Sequence, residues 1–279
     1  MTDVELGLKG RVALVAGGTS GIGLACAKEF AAEGAHVAVC GRDPRRLAAA
    51  ERELAGVAAG RVSATGVDLT DTDAAARWVD RVAADLGGAH VLLVSGGSPP
   101  VGTAAGFGTD DYRAAVDRVL LPAVAVSMAA LPHMRAAGWG RLLLVASETA
   151  CVPIGPLVLS GVTRAALVRF AQGLAVDVGR DGITVNVLAP GGVRTPPMER
   201  AAARLAGADG DVEARLAAMG HHSALGRLAR PAEVAAMAAF LASERASYVT
   251  AGVHLIDGGA AATGPDLPHL TGVRRDTYA

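Results

Sequence analysis

Short strand-like segments alternate with longer segments of helical periodicity along most of this chain. Residues 12–16 form an apolar run rich in β-branched side chains, and residues 36–40, 61–67, 90–95, 141–146 and 183–188 read as further strands. Runs such as 12–16 suit strands buried on both faces of a parallel sheet. Residues 24–32, 45–54, 74–86, 110–137 and 157–178 read as helices between them. The alternation continues to Ile256 with no linker rich in Ser, Pro or charge, so it predicts one α/β domain, a doubly wound parallel sheet with helices on both faces. Pro122 lies inside the segment 110–137 and predicts a bend there rather than a break. Leu120, Val124, Met128 and Leu131 recur in it at helical spacing, with apolar residues on other sides too, so this helix should be covered on more than one face.

Composition narrows the class. Of 279 residues, 51% are hydrophobic and only 3% aromatic, which means a core built mainly of Ala, Val and Leu. A net charge of −1 gives no electrostatic case for nucleic acid or an anionic membrane as partner. Cys26, Cys40 and Cys151 are widely spaced and form no CxxC pair, which fits a reduced cytoplasmic protein and argues against a disulfide framework or a metal site. The acidic N-terminus has no apolar core of a signal peptide. The apolar stretch 119–131 is too short to span a bilayer, so the expectation is a soluble protein.

The first strand runs into Gly17, Gly21 and Gly23 and then into a helix. Strand, glycine turn and helix N-terminus in that order make an anion site, because unpaired amides and the positive end of the helix dipole face the turn. A Cβ there would keep a pyrophosphate from the backbone. The spacing Gly17-x-x-x-Gly21-x-Gly23 resembles the fingerprint of the short-chain dehydrogenase/reductase family, which implies a Rossmann-like fold with seven parallel strands and a nicotinamide cofactor on Gly17, Thr19, Ser20, Gly21, Ile22 and Gly23.

Further segments resemble the family in order. Arg42, after the second strand, stands where an arginine goes with NADP, while the following Asp43 keeps NAD(H) possible; NADP(H) is preferred on this reading. Arg42 also reads as a solvated arginine capping a turn. The resemblance gives Asp68-Leu69 the adenine edge, although Asp68 also reads as a cap for the next helix. Ser95 and Gly96 stand in the family's Asn-Asn-Ala-Gly segment beside the nicotinamide ribose, without its amides. Pro190, Gly191, Val193 and Thr195 match the loop that wraps the nicotinamide. Residues 195–225 are placed as a helical substrate lid, and the similarity tightens again from Gly226 through Phe240, Tyr248 and Asp257-Gly258-Gly259, read as a last helix and a seventh strand. The domain is thus expected over 1–260, with a tail over 261–279. In relatives the long helix and the one after the fifth strand form a subunit interface, which implies a homo-oligomer, a tetramer or dimer.

At the reaction centre the resemblance breaks. The family's catalytic serine is matched by Ser147, but Ser160 and Arg164 stand at the Tyr-x-x-x-Lys places and Val119 at that of the supporting asparagine. A serine hydroxyl is a far poorer acid than a phenol, whose pKa of about 10 a neighbouring lysine pulls down. Arg164 keeps the ability to hydrogen-bond ribose hydroxyls. Other candidate acids are Glu148, which reads as a solvated loop carboxylate, and His221 and His222 in the lid. Cys151 reads as a small apolar filler. The expectation is an NADP(H)-dependent oxidoreductase acting on a small-molecule carbonyl or alcohol through Ser147, Ser160 and Arg164. The alternatives are a lyase, isomerase or cyclase on the same scaffold, and a cofactor-binding protein without turnover.

Overall fold

The computed structural model describes residues 5–207 and 210–263. Strands β1 (Val12–Ala16), β2 (His36–Gly41), β3 (Val62–Gly66), β4 (Val91–Val94), β5 (Gly140–Val145), β6 (Ile183–Pro190) and β7 (Val253–Ile256) form one parallel sheet in the order β3-β2-β1-β4-β5-β6-β7. Every residue of β1, β4, β5 and β6 is buried, which is why β1 and β4 are apolar throughout; β6 alternates Ile-Thr-Val-Asn-Val and is buried all the same. Among the polar exceptions, the Asn186 amide in β6 donates to the Val249 carbonyl at 2.7 Å, while the buried Thr184 hydroxyl has no partner among the described residues.

Parallel neighbours must be joined by crossovers, and helices supply them. Helices α1 (Gly21–Ala32), α2 (Pro44–Ala55), α3 (Thr72–Leu86), α4 (Thr109–Ala137), α5 (Val158–Val178), α6 (Pro196–Ala206), α7 (Val212–Gly220), α8 (Pro231–Ala242) and the short α9 (Ala260–Thr263) follow in chain order. α1, α2 and α8 cover one face of the sheet around Phe30, Leu54, Leu93 and Leu143. α3, α4 and α5 cover the other around Trp78, Leu92, Met134 and Leu142. The segment expected as a lid forms two helices: Gly207, at φ +76°, ends α6, and the Asp211 carboxylate caps α7 by accepting from the Ala214 amide at 3.1 Å. Of the expected tail, only residues 261–263 fall within the described residues.

α4 runs unbroken through Pro122 and Pro132, and its buried stripe differs in part from the expected one. Of the expected residues Leu131 is buried and Leu120 packs against the core, joined by Ala115, Val119, Ala123, Val126, Ala130 and Met134, whereas Met128 is 42% exposed. Small side chains let α4 approach α3, α5 and the sheet closely, and the bulkier Leu121 and Met128 are left on its outer surface. By length and composition the helix could cross a membrane, but here its apolar residues fill the core of the sheet's flank.

The N-terminal ends of the strands are closed by a stack. Trp139 lies between the guanidinium groups of Arg11 and Arg141, 4.0 and 4.1 Å from its ring centre. At the opposite, C-terminal end, β1 and β4 are neighbours whose crossovers leave on opposite faces, and a crevice opens there.

Candidate functional site

The crevice begins where β1 meets α1. Gly17 adopts φ +78° and donates its amide to the Cys40 carbonyl at 3.2 Å. A Cβ at Gly17 would collide with the Ser95 carbonyl oxygen, so the turn and the end of β4 close on each other only because residue 17 has no side chain. Ser20 precedes α1 in extended conformation, its side chain makes no capping bond, and no acidic residue lies in the first turn. The helix therefore begins with unclaimed amides and an uncompensated dipole. Gly21 and Thr195 are neighbours: a Cβ on Gly21 would lie 3.2 Å from the Thr195 methyl. Thr19 lies against Gly41 at the end of β2, and Ile22 packs into the core beneath the turn.

Beyond β2 the sequence left two residues competing for the ribose, and the structure separates them. Asp43 caps α2, its Oδ1 accepting from the amides of Arg45 at 2.8 Å and Arg46 at 3.3 Å. Arg42 projects into solvent with its Nη1 3.6 Å from Asp68 Oδ2. Asp68 is no helix cap. It accepts from the amide and hydroxyl of Thr70 at 3.0 and 2.8 Å, which with Arg42 hold its carboxyl below the usual range, and Asp71 caps α3 instead. Leu69 lies across from Gly96.

Arg164 reaches from α5 under the crevice. Its Nη1 donates to the Val145 carbonyl at 2.8 Å, and its Nη2 to the carbonyls of Gly96 at 2.9 Å and Gly97 at 2.7 Å. One guanidinium thus ties the end of β5 to the loop after β4, a span its planar fork suits. Its Nε is shielded from solvent and has no partner among the described residues, and burial pulls the group down to about 10. The sequence assigned Arg164 to ribose hydroxyls, but three of its five N–H groups are committed to the protein backbone. Val119 packs directly behind Gly97.

Ser147 follows β5 and accepts from the Thr149 amide at 3.2 Å. Ser160 Oγ lies 3.1 Å from Thr149 Oγ1. Thr149 is a member of this cluster that the sequence did not reveal. Of the other candidate acids, Glu148 is not the solvated carboxylate expected. It is half-buried, and its Oε2 would lie 2.9 Å from a Cβ on Gly191. Burial first, and then Asp257, raise its pKa. The extended backbone of Ser147 (φ −162°, ψ 158°) turns the two side chains to opposite sides, which explains why Glu148 faces the 190–195 loop. A raised carboxyl favours folding at low pH, and that contribution is lost as pH climbs through the folded value. Glu148→Gln is therefore expected to melt increasingly above the wild type as pH rises from about 4 to about 7. Equal differences at both ends would contradict this placement.

The remaining loop is held from outside. The Gly191 amide donates to Ile256 at 3.2 Å, Val193 bridges to Ala229, and Thr195 starts α6 with no side-chain capping bond. Arg194 between them binds Glu199 on α6 through Nε at 3.0 Å and Glu213 on α7 with both Nη atoms, one at 2.9 Å. His221 and His222 are exposed at the end of α7, and their side chains show no hydrogen bond among the described residues. Cys151 is exposed rather than a filler, whereas burial pushes the Cys26 and Cys40 thiols up to about 12. The Tyr112 hydroxyl donates to the Ala104 carbonyl at 3.5 Å, Tyr248 stands exposed near the foot of the sheet, and Tyr278 lies outside the described residues. Among the described residues no group of three or more metal-ligating side chains occurs.

These residues fit a dinucleotide: a turn that excludes Cβ atoms, an uncapped helix start, an exposed Arg42, and a buried Arg164 Nε without a partner. Known proteins agree. The family model described as Enoyl-(Acyl carrier protein) reductase matches residues 16–261. Oxidoreductase UcpA of Escherichia coli K12 is 34% identical over 254 residues, covering 91% of this chain and 95% of that protein. D-beta-hydroxybutyrate dehydrogenase of Cupriavidus necator is 32% identical, over 90% of this chain and 98% of its own. Among solved structures, L-sorbose reductase from Gluconobacter frateurii, complexed with NADPH and L-sorbose, has a TM-score of 0.88 at 33% identity, covering 92% and 98% of the two chains. A short-chain type dehydrogenase/reductase from Mycobacterium ulcerans has a TM-score of 0.83 at 31% identity, covering 92% of each. With the strand order, the glycine turn and these relatives in agreement, the chain belongs to the short-chain dehydrogenase/reductase family and is an oxidoreductase of that type.

Proposed function

We propose that this oxidoreductase uses NADP(H) and acts on a carbonyl or alcohol through a non-standard centre of Ser147, Ser160 and Arg164. The observation that carries the reading is the uncapped start of α1, which faces the same end of the sheet as the Ser147 hydroxyl. Asp43 is engaged as a cap and Arg42 is exposed, which favours a 2′-phosphate over a bare ribose. The NADPH complex of the similar L-sorbose reductase supports the same cofactor. When bound, a reduced nicotinamide supplies hydride. Gly17 to Gly23 would hold the pyrophosphate, the free N–H groups of Arg164 would face the ribose, and Thr195 would offer its hydroxyl to the carboxamide end. Ser147 orients the substrate oxygen. Neither serine gives up its proton near neutral pH, so solvent water at the mouth supplies the proton that completes the alcohol.

Exposed Val101, Leu205 and Leu225 in the 101–107 loop and the lid segment favour an apolar aliphatic substrate. We read the protein as a cytoplasmic homo-oligomer, dimer or tetramer. Leu121 and Met128 on α4, with Val162 and Val176 on α5, are exposed aliphatic side chains that a second copy would cover.

Steady NADPH consumption against a panel of ketones tests the function. It is expected to proceed in the wild type, to fall about 100-fold in Ser147→Ala, and to accompany tighter binding of NADPH than of NADH. The serine at position 160 favours one other reading, a non-redox enzyme (lyase, isomerase or cyclase) or a binder without turnover. Substrate conversion with no change in cofactor absorbance identifies the former, and tight binding without conversion the latter.

A further inference from the structure

Thr149 sits between the two serines of the centre and is 6% exposed. Its amide donates to Ser147 Oγ at 3.2 Å, and its Oγ1 lies 3.1 Å from Ser160 Oγ. The direction of the second bond follows from burial. Ser160 Oγ is the one hydrogen-bond partner of the Thr149 hydroxyl among the described residues, and a buried hydroxyl hydrogen needs an acceptor. Ser160 is only half-buried and has the crevice in which to place its own hydrogen. Thr149 therefore donates and Ser160 accepts. Ser147 likewise has a lone pair occupied by the Thr149 amide, and its hydroxyl donates to no group among the described residues. The β-branched side chain keeps this geometry, because χ1 of threonine is stiff.

We propose that Thr149 is a positioning residue that turns the hydroxyls of Ser147 and Ser160 outward as two hydrogen-bond donors to a single substrate oxygen. The inference rests on the oxidoreductase reading above and deepens it. Two O–H donors at one point suit an oxygen that gains negative charge, such as a ketone or aldehyde carbonyl on its way to an alkoxide. They do not suit an oxygen that must first lose a proton to a base. The ligand class is accordingly a neutral carbonyl compound, bound through its oxygen, with the Arg164 charge directed at backbone carbonyls rather than at the substrate.

Thr149→Val tests this, since it preserves shape and the amide bond to Ser147 while removing the hydroxyl. The expected result is a kcat for NADPH-dependent ketone reduction about 10- to 100-fold lower, with NADPH affinity unchanged. Thr149→Ser restores most of the loss. In a Ser160→Ala background Thr149→Val has no further effect, because both changes remove one donor. A second readout is independent of turnover: the carbonyl stretch of cyclohexanone bound beside NADP+ is displaced to lower frequency in the wild type and less so in Thr149→Val. An undiminished displacement, or a kcat loss of equal size in the Ser160→Ala background, overturns the proposal while leaving the oxidoreductase reading intact. Displacement in the wild type with no NADPH consumption by any ketone overturns the oxidoreductase reading and leaves the placement of Thr149 standing.

Discussion

Ser160→Tyr combined with Arg164→Lys raises the rate of NADPH-dependent ketone reduction by roughly 100-fold or more. The gain comes from supplying an acid where the crevice has only hydroxyls. A phenol with a pKa near 10, drawn down by an adjacent ammonium, gives its proton to a developing alkoxide far more readily than a serine does. Both changes are needed. With Ser160→Tyr alone, the neighbouring cation is a guanidinium whose donors are fixed on the carbonyls of Val145, Gly96 and Gly97. With Arg164→Lys alone, a compact ammonium cannot span those three carbonyls, and the tie between the end of β5 and the loop after β4 loosens. That single variant is expected to lose activity rather than gain it. Steady-state kinetics on the four combinations checks the claim. A double variant that keeps NADPH affinity but gains no rate would mean that the absent phenol is not what limits this chemistry.

Gly17→Ala is expected to abolish measurable NADPH binding and to cost about 3 kcal/mol or more of stability. Two separate penalties act at this residue. The backbone is at φ +78°, a region that a Cβ makes unfavourable, and the added methyl meets the Ser95 carbonyl. The carbonyl belongs to the backbone at the end of β4, so relief requires separating two adjacent strands. For a chain of this size the loss corresponds to a melting temperature lower by roughly 6–12 °C. Thermal melts and cofactor fluorescence titrations read the two effects separately. A variant that melts like the wild type and binds NADPH normally would mean that the turn is not packed as described.

Much of the fold was legible because burial leaves a direct signature. β1, β4, β5 and β6 are covered on both faces, and their residues are apolar in consequence apart from Arg141, Thr184 and Asn186. The glycine turn was equally legible, since its spacing reflects backbone contacts that no other residue permits. The stripe on α4 is only half legible for a physical reason: Leu131 is buried as its spacing predicts, but close helix packing selects alanines for much of the core and leaves Met128 outside. Asp43 carries a readable cap signal, an aspartate directly before a proline at a helix start. Thr149 carried none. Its importance lies in a contact with Ser160 across the turn between β5 and α5, and no spacing rule announces it. Arg164 shows the same limit, because residue type suggested a ligand contact while three carbonyls from two other segments claim the side chain.

The Arg194 pairs make one part of the fold sensitive to salt. One guanidinium on the 190–195 loop binds both α6 and α7, so the three segments share a common ionic link. These two pairs are ionic and solvent-facing, and dissolved salt weakens them without touching the backbone bridge of Val193 to Ala229 or the apolar interior. Added salt is therefore expected to loosen α6 and α7 from the 190–195 loop while the Gly17 turn, closed on the Ser95 carbonyl, keeps its shape.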